Sequence, residues 1–128
     1  MTQITRTNPA TVRAPTGYTH GVLVTAPARR LVMSGQIGIA PDGTIPADPA
    51  AQIAQAFANL RAILAAHDMT PANVVKVTSF LTDRGWFAAY RTARAAFFPT
   101  EPPASTLLFV AGLFDPAVGF EIEAEAIA

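Results

Sequence analysis

Residues 48–67, DPAAQIAQAFANLRAILAAH, carry the clearest periodic signal in the chain. Asp48 suits an N-cap and Pro49 the first helical position. Ile53, Phe57, Leu60 and Leu64 recur at helical spacing, with Gln55, Ala58, Arg61 and Ala62 on the opposite side. One further helix is predicted over Gly85 to Phe98, halted by Pro99. Most of what remains reads as strand: Ile4 to Thr7, His20 to Thr25, Arg30 to Gln36, Asn73 to Thr82, Ala104 to Ala111 and Phe120 to Ile127. Ala26-Pro27-Ala28-Arg29 reads as a hairpin connection between the second and third strands, and Pro41-Asp42-Gly43-Thr44 as a turn.

The predicted order is three strands, a helix, a strand, a helix and two strands, in one domain spanning residues 1–128. Two helices can cover only one face of a six-stranded sheet, so the other must meet water or another subunit. The first three strands hold too many apolar residues on both faces for free exposure. Half the chain (51%) is apolar and only 14% is charged, which leaves few charges to cover a monomer's surface. Burial of the open sheet face in an oligomer is the expectation.

Nine basic and nine acidic residues cancel, so no net field draws the protein to nucleic acid or anionic lipid. The absence of cysteine excludes disulfides, thiolate catalysis and zinc–sulfur sites. No apolar run approaches a membrane span, and MTQITRTNPA lacks the layout of a signal peptide. A soluble, cytoplasmic protein is expected.

Few residues offer chemistry. Glu121, Glu123 and Glu125 alternate with Phe120, Ile122, Ala124 and Ala126, so the three carboxylates share one face of a strand. A solvated sheet face explains that pattern. So does a pocket at a subunit boundary, where partial burial would tune one glutamate as an acid or base. No Asp/His cluster supports a metal. His67 ends the first helix, and His20 follows Tyr18 at a strand start. No G-x-S-x-G elbow or phosphate-binding glycine loop is present. In Ser34-Gly35-Gln36, a glycine within a strand pattern marks either a bulge or a close approach by a ligand or another backbone. On the second helix, Arg91 and Arg94 lie on or beside the side carrying Trp86, Phe87, Tyr90, Phe97 and Phe98, with alanines and Thr92 opposite. The pattern leaves open which side packs.

An ordered set of short motifs runs through the chain: Gly17-Tyr18, Ser34-Gly35-Gln36, Gln52 with Asn59-Leu60, and Asn73-Val74-Val75-Lys76 leading to Phe80-Leu81-Thr82-Asp83. Pro103-Ala104-Ser105-Thr106 and Glu121-Ile122-Glu123-Ala124 complete it. In order and spacing this set resembles the Rid (reactive intermediate deaminase) family, also called the YjgF family. The resemblance implies an α+β, chorismate-mutase-like fold, β-β-β-α-β-α-β-β, with a six-stranded mixed sheet and two helices on one face. It further implies a homotrimer with small-molecule clefts between subunits, no metal or organic cofactor, and hydrolysis of enamines and imines such as 2-aminoacrylate to ammonia and a 2-keto acid.

The departures from that pattern are informative. In deaminating members the strand after the prolines opens Pro-Ala-Arg, the arginine gripping the substrate carboxylate in a bidentate pair. Here PPASTLLFV places Ser105 at that position and Leu107 where a cysteine is frequent. A hydroxyl offers one donor and no charge. The family's site asparagine aligns with Arg91. Tyr18, Ser34, Gly35 and the acidic residue are retained, the last as Glu121, or as Glu123 after a two-residue shift. The expected site therefore holds Glu121 and Tyr18 as catalytic groups, with Ser34, Gly35, Arg91, Ser105 and Leu107 contacting ligand. Local hydrogen bonding at a strand start explains Ser105 and Thr106 equally well. Three functions follow: an imine or enamine hydrolase with altered substrate range, a non-catalytic metabolite-binding or sensor trimer, or the ribonuclease or translation inhibitor of older family labels. The zero net charge and the glutamate face speak against the last.

Overall fold

The computed structural model describes residues 2–128. Six strands and two α-helices follow in the predicted order: β1 (Gln3–Thr7), β2 (Gly21–Thr25), β3 (Arg30–Ile37), α1 (Pro49–Ala65), β4 (Val74–Leu81), α2 (Phe87–Phe97), β5 (Ala104–Phe109) and β6 (Phe120–Ile127). Short 3-10 turns at Pro71–Asn73 and Arg84–Trp86 lead into β4 and α2.

Asp48 caps α1 by accepting from Ala51 N–H at 2.9 Å, and Pro49 occupies its first turn. The helix stops at Ala65, and the chain then passes through Asp68 at φ 55°. The buried stripe of α1 is Gln52, Ile53, Ala56, Phe57, Leu60 and Leu64. It packs with α2 on one face of the larger sheet. Phe57 stacks on Phe120 of β6 with centroids 5.8 Å apart and meets Phe97 of α2 at 5.0 Å, while Tyr90 reaches Phe120 at 5.5 Å. These rings tie both helices to β6 and form the centre of the core.

Hydrogen bonding divides the strands into a four-stranded mixed sheet, ordered β3-β6-β4-β5, and an antiparallel β1-β2 pair. Only β4 and β5 run parallel, with α2 as the crossover between them. A single parallel bridge between Thr19 and Ala104 connects the segment before β2 to the outer edge of β5. The expected hairpin between β2 and β3 is not formed: β2 pairs with β1, and β3 pairs with β6. Ala26 takes φ 50° and Pro27 follows it, so the chain turns away. The Ala28 and Arg29 amides then donate to the Ala128 carbonyl at 3.0 and 2.9 Å. The C-terminus thus captures the segment that the sequence had assigned to a turn.

Three polar motif residues prove to be ties between elements. Gln52 is fully buried; its Nε2 donates to the Pro46 and Ala117 carbonyls at 2.9 Å each, and its Oε1 accepts from Gly119 N–H at 2.8 Å. Asn59 Nδ2 donates to the Ile37 and Ile39 carbonyls, holding the end of β3 against α1. Asn73 Nδ2 donates to the Ile127 carbonyl at 3.0 Å, while its Oδ1 accepts from Thr70 N–H at 2.8 Å. Each replaces missing ladder or helix partners for backbone that would otherwise be left unpaired.

Candidate functional site

Strand parity divides the candidate residues into two groups. Ser79 is buried and lies 2.9 Å from the Tyr90 hydroxyl of α2, so alternate β4 residues starting from Ser79 face the helices. Ser79 pairs with Leu107 and Val77 with Ser105, which places Ser105 and Leu107 on that same face. The neighbouring Phe80 pairs with both Leu108 and Glu121, which puts Glu121 on the open face, away from the helices.

On the helix side, Tyr18, Arg91, Ser105 and Leu107 line one cavity of about 430 Å³ together with Thr16, Phe87 and Arg94. The parallel bridge at Thr19 carries Tyr18 to the β5 edge, and α2 supplies the two arginines. The His20 ring stands edge-on to Tyr18 with centroids 5.2 Å apart, and its Nε2 lies 2.7 Å from the Arg13 carbonyl. His20 thus braces Tyr18. The buried side of α2 combines Tyr90 and Phe97 with the small Ala89 and Ala93, which settles which side packs. Arg94 sits at the rim of that packing and is half-buried, whereas Arg91 is exposed with its guanidinium 5.8 Å from the Phe87 ring.

Arg94 did not stand out from its sequence neighbours, although its spacing from Tyr90 (four residues) and Phe97 (three) places it on the packed side. Its Nη2 donates to the Thr16 carbonyl at 3.3 Å, and its guanidinium carbon lies 5.3 Å from the Tyr90 ring. Gly17 makes this approach feasible. An added Cβ there would lie 2.5 Å from Nη2, and φ is +74°. The Gly17-Tyr18 motif therefore seats an arginine as well as presenting a tyrosine.

The second group lies at the β3–β6 pairing. Between Met33 and Gln36 the register shifts, so Ser34 and Gly35 form a bulge, closed by Gln36 Nε2 donating to the Ser34 carbonyl at 3.2 Å. The Glu121 carboxylate lies directly against Gly35, in space a Cβ would occupy. Both readings of the Ser34-Gly35-Gln36 motif, bulge and close approach, therefore hold. Glu125 on the same open face is paired with Arg30 at 2.9 Å. Glu123 is exposed and lines a shallow groove with Val32, Lys76 and Thr78. Of the three glutamates, Glu121 alone is seated at the Ser34-Gly35 bulge.

Another groove, about 280 Å³ and bordered by Arg61, Thr70, Phe97 and Glu101, contains none of the candidate residues. Among the described residues, no group of three or more His, Asp or Glu side chains is placed to hold a metal ion. No helix among them is long and apolar enough to cross a membrane.

The chain is thus α+β, with a cavity beside β5 and a glutamate seated at a bulge in β3. The family described as Endoribonuclease L-PSP matches residues 9–128. The chain belongs to this family, the Rid or YjgF family. It is 36% identical over 125 residues to the 2-iminobutanoate/2-iminopropanoate deaminase of Escherichia coli, covering 92% of this chain and 94% of that protein. It is also 36% identical to Protein HMF1 of Saccharomyces cerevisiae, over 90% of this chain and 85% of that one. The crystal structure of YyfB from Yersinia pestis, a Rid-family protein of unknown function, superposes with a TM-score of 0.89 at 30% identity over 98% of both chains.

Proposed function

We propose that the protein hydrolyses small imines or enamines in clefts formed between the subunits of a homotrimer. Each cleft would join the Tyr18–Ser105 cavity of one subunit to the Ser34-Gly35-Glu121 group of another. The observation that carries this reading is the parity of the sheet: Ser105 and Glu121 lie on opposite faces of one chain, so only a second copy can bring both to one ligand. The named activity of the E. coli relative supports the reaction class.

In this reading Glu121 accepts a proton from a water molecule that attacks the imine carbon. The carbon–oxygen bond forms as the C=N π pair moves to nitrogen. Glu121 returns that proton to nitrogen, giving a carbinolamine. It then takes the proton of the new hydroxyl and passes it to the amine, so that the C–N bond breaks, ammonia leaves and the C=O of a 2-oxo product forms. An enamine takes up a proton at carbon to become the imine before water adds. Tyr18 donates from its hydroxyl to the developing charge. The missing side chain at Gly35 leaves the carboxylate the space that it occupies.

The test is ammonia release from 2-iminopropanoate generated in situ. Wild type is expected to exceed the buffer rate, and Glu121→Gln to lower turnover by about 10²- to 10⁴-fold. A wild-type rate equal to buffer would overturn the reading. Leu107 in the cavity wall supports a second reading, a non-catalytic binder of a less polar metabolite. That reading expects ligand-induced stabilisation without turnover.

A further inference from the structure

We propose that Arg94 supplies the guanidinium that binds a ligand carboxylate in the Tyr18–Ser105 cavity, taking over from the arginine that is missing at position 105. This rests on the reading of the cavity as an imine-binding cleft, and it names the part of the ligand that the cavity grips.

Arg94 carries five N–H donors in a planar fork. One is given to the Thr16 carbonyl at a long 3.3 Å. The Nε atom is buried and without a hydrogen-bond partner in the protein. A buried guanidinium N–H left unpaired costs free energy, and native structures rarely leave one without a reason. Arg94 lines the cavity, and a carboxylate, with two oxygens matched to the planar fork, is the acceptor that suits it best there.

The side chain is also held in advance. It lies over Tyr90, whose own ring is fully buried, and passes under Gly17 where no other residue would leave room. Little rotamer entropy remains to be lost on binding. Arg91 borders the same cavity but is exposed, so solvent screens it and ligand contact would have to order it. Ser105 fits this arrangement, because an arginine there would set a second cation beside Arg94, whereas a serine leaves space and one hydroxyl.

The experiment compares binding of pyruvate, the 2-oxo acid left by hydrolysis of 2-iminopropanoate, with binding of pyruvamide, its uncharged amide, by calorimetry on the intact protein. Wild type is expected to prefer pyruvate. Arg94→Met is expected to lose about tenfold or more of that preference. Arg94→Lys, which keeps charge but not the fork, is expected to fall between them, and Arg61→Met, which removes a cation outside the cavity, to match wild type. Ser105→Arg added to Arg94→Met is expected to restore the preference, which shows that the single variant is folded and lacks only its cation. A preference unchanged in Arg94→Met, or lost in Arg91→Met while Arg94→Met keeps it, overturns the assignment. So does a wild type that binds neither compound or does not distinguish them. A wild type that prefers pyruvate through Arg94 but releases no ammonia supports the anchor and removes only the hydrolase reading.

Discussion

Gly35 and Glu121 are packed so closely that any side chain at position 35 would displace the carboxylate at position 121. The register shift at Ser34-Gly35 interrupts the β3–β6 ladder, and the missing Cβ leaves the space into which the glutamate settles. Gly35→Ala is therefore expected to move Glu121 while leaving the core intact. Turnover should fall by about 10²-fold or more, with a destabilisation of only about 1–2 kcal/mol. Imine hydrolysis and denaturant melts on one preparation check this; undiminished turnover would remove Glu121 from the reaction.

Gln52 joins the turn before α1 to the loop before β6 through three hydrogen bonds in a fully buried position. Gln52→Leu keeps the volume but leaves two carbonyls and one amide without partners. A loss of about 3 kcal/mol is expected, read as a drop in the urea midpoint at unchanged slope.

Ser79 and Tyr90 share the buried hydroxyl pair between β4 and α2. Tyr90→Phe strands the serine hydroxyl and is expected to cost about 1–2 kcal/mol. Adding Ser79→Ala removes the stranded group as well, so the double variant should be no less stable than Tyr90→Phe alone. A strictly additive pair would mean that the two hydroxyls do not depend on each other.

Val32 is exposed on the open sheet face, directly opposite Glu125 on β6. If this face carries the subunit contact, Val32→Glu sets two like charges across the strand pair and buries them together. Sedimentation should then show the proposed trimer replaced by monomer. A trimer indifferent to the substitution places the contact elsewhere.

Much of the fold was legible in the sequence because each element announces itself locally. Asp48-Pro49 starts α1, the Ile53-Phe57-Leu60-Leu64 stripe faces it inward, and alternation in residues 120–126 separates glutamates from core. The motif residues that define the family were also legible, along with the serine where an arginine is expected. What Gln52, Asn59 and Asn73 do was not, since their partners lie on strands and loops distant in the chain.

Tertiary structure alone decided how the strands join and how the site divides. The link after β2 looked like a hairpin because Ala26-Pro27 makes a turn, but a turn does not choose its partner: the Ala128 carbonyl and β6 compete for the next residues and take them. Arg91 and Arg94 both lie on or beside the aromatic side of the helical wheel. They differ because Gly17, reached through the Thr19–Ala104 bridge, leaves room over one of them and not the other. Periodicity reports which side of an element is apolar, and it carries no information about which distant backbone passes above it; that is set by packing, and packing put the half-buried Arg94 on the cavity that Ser105 lines.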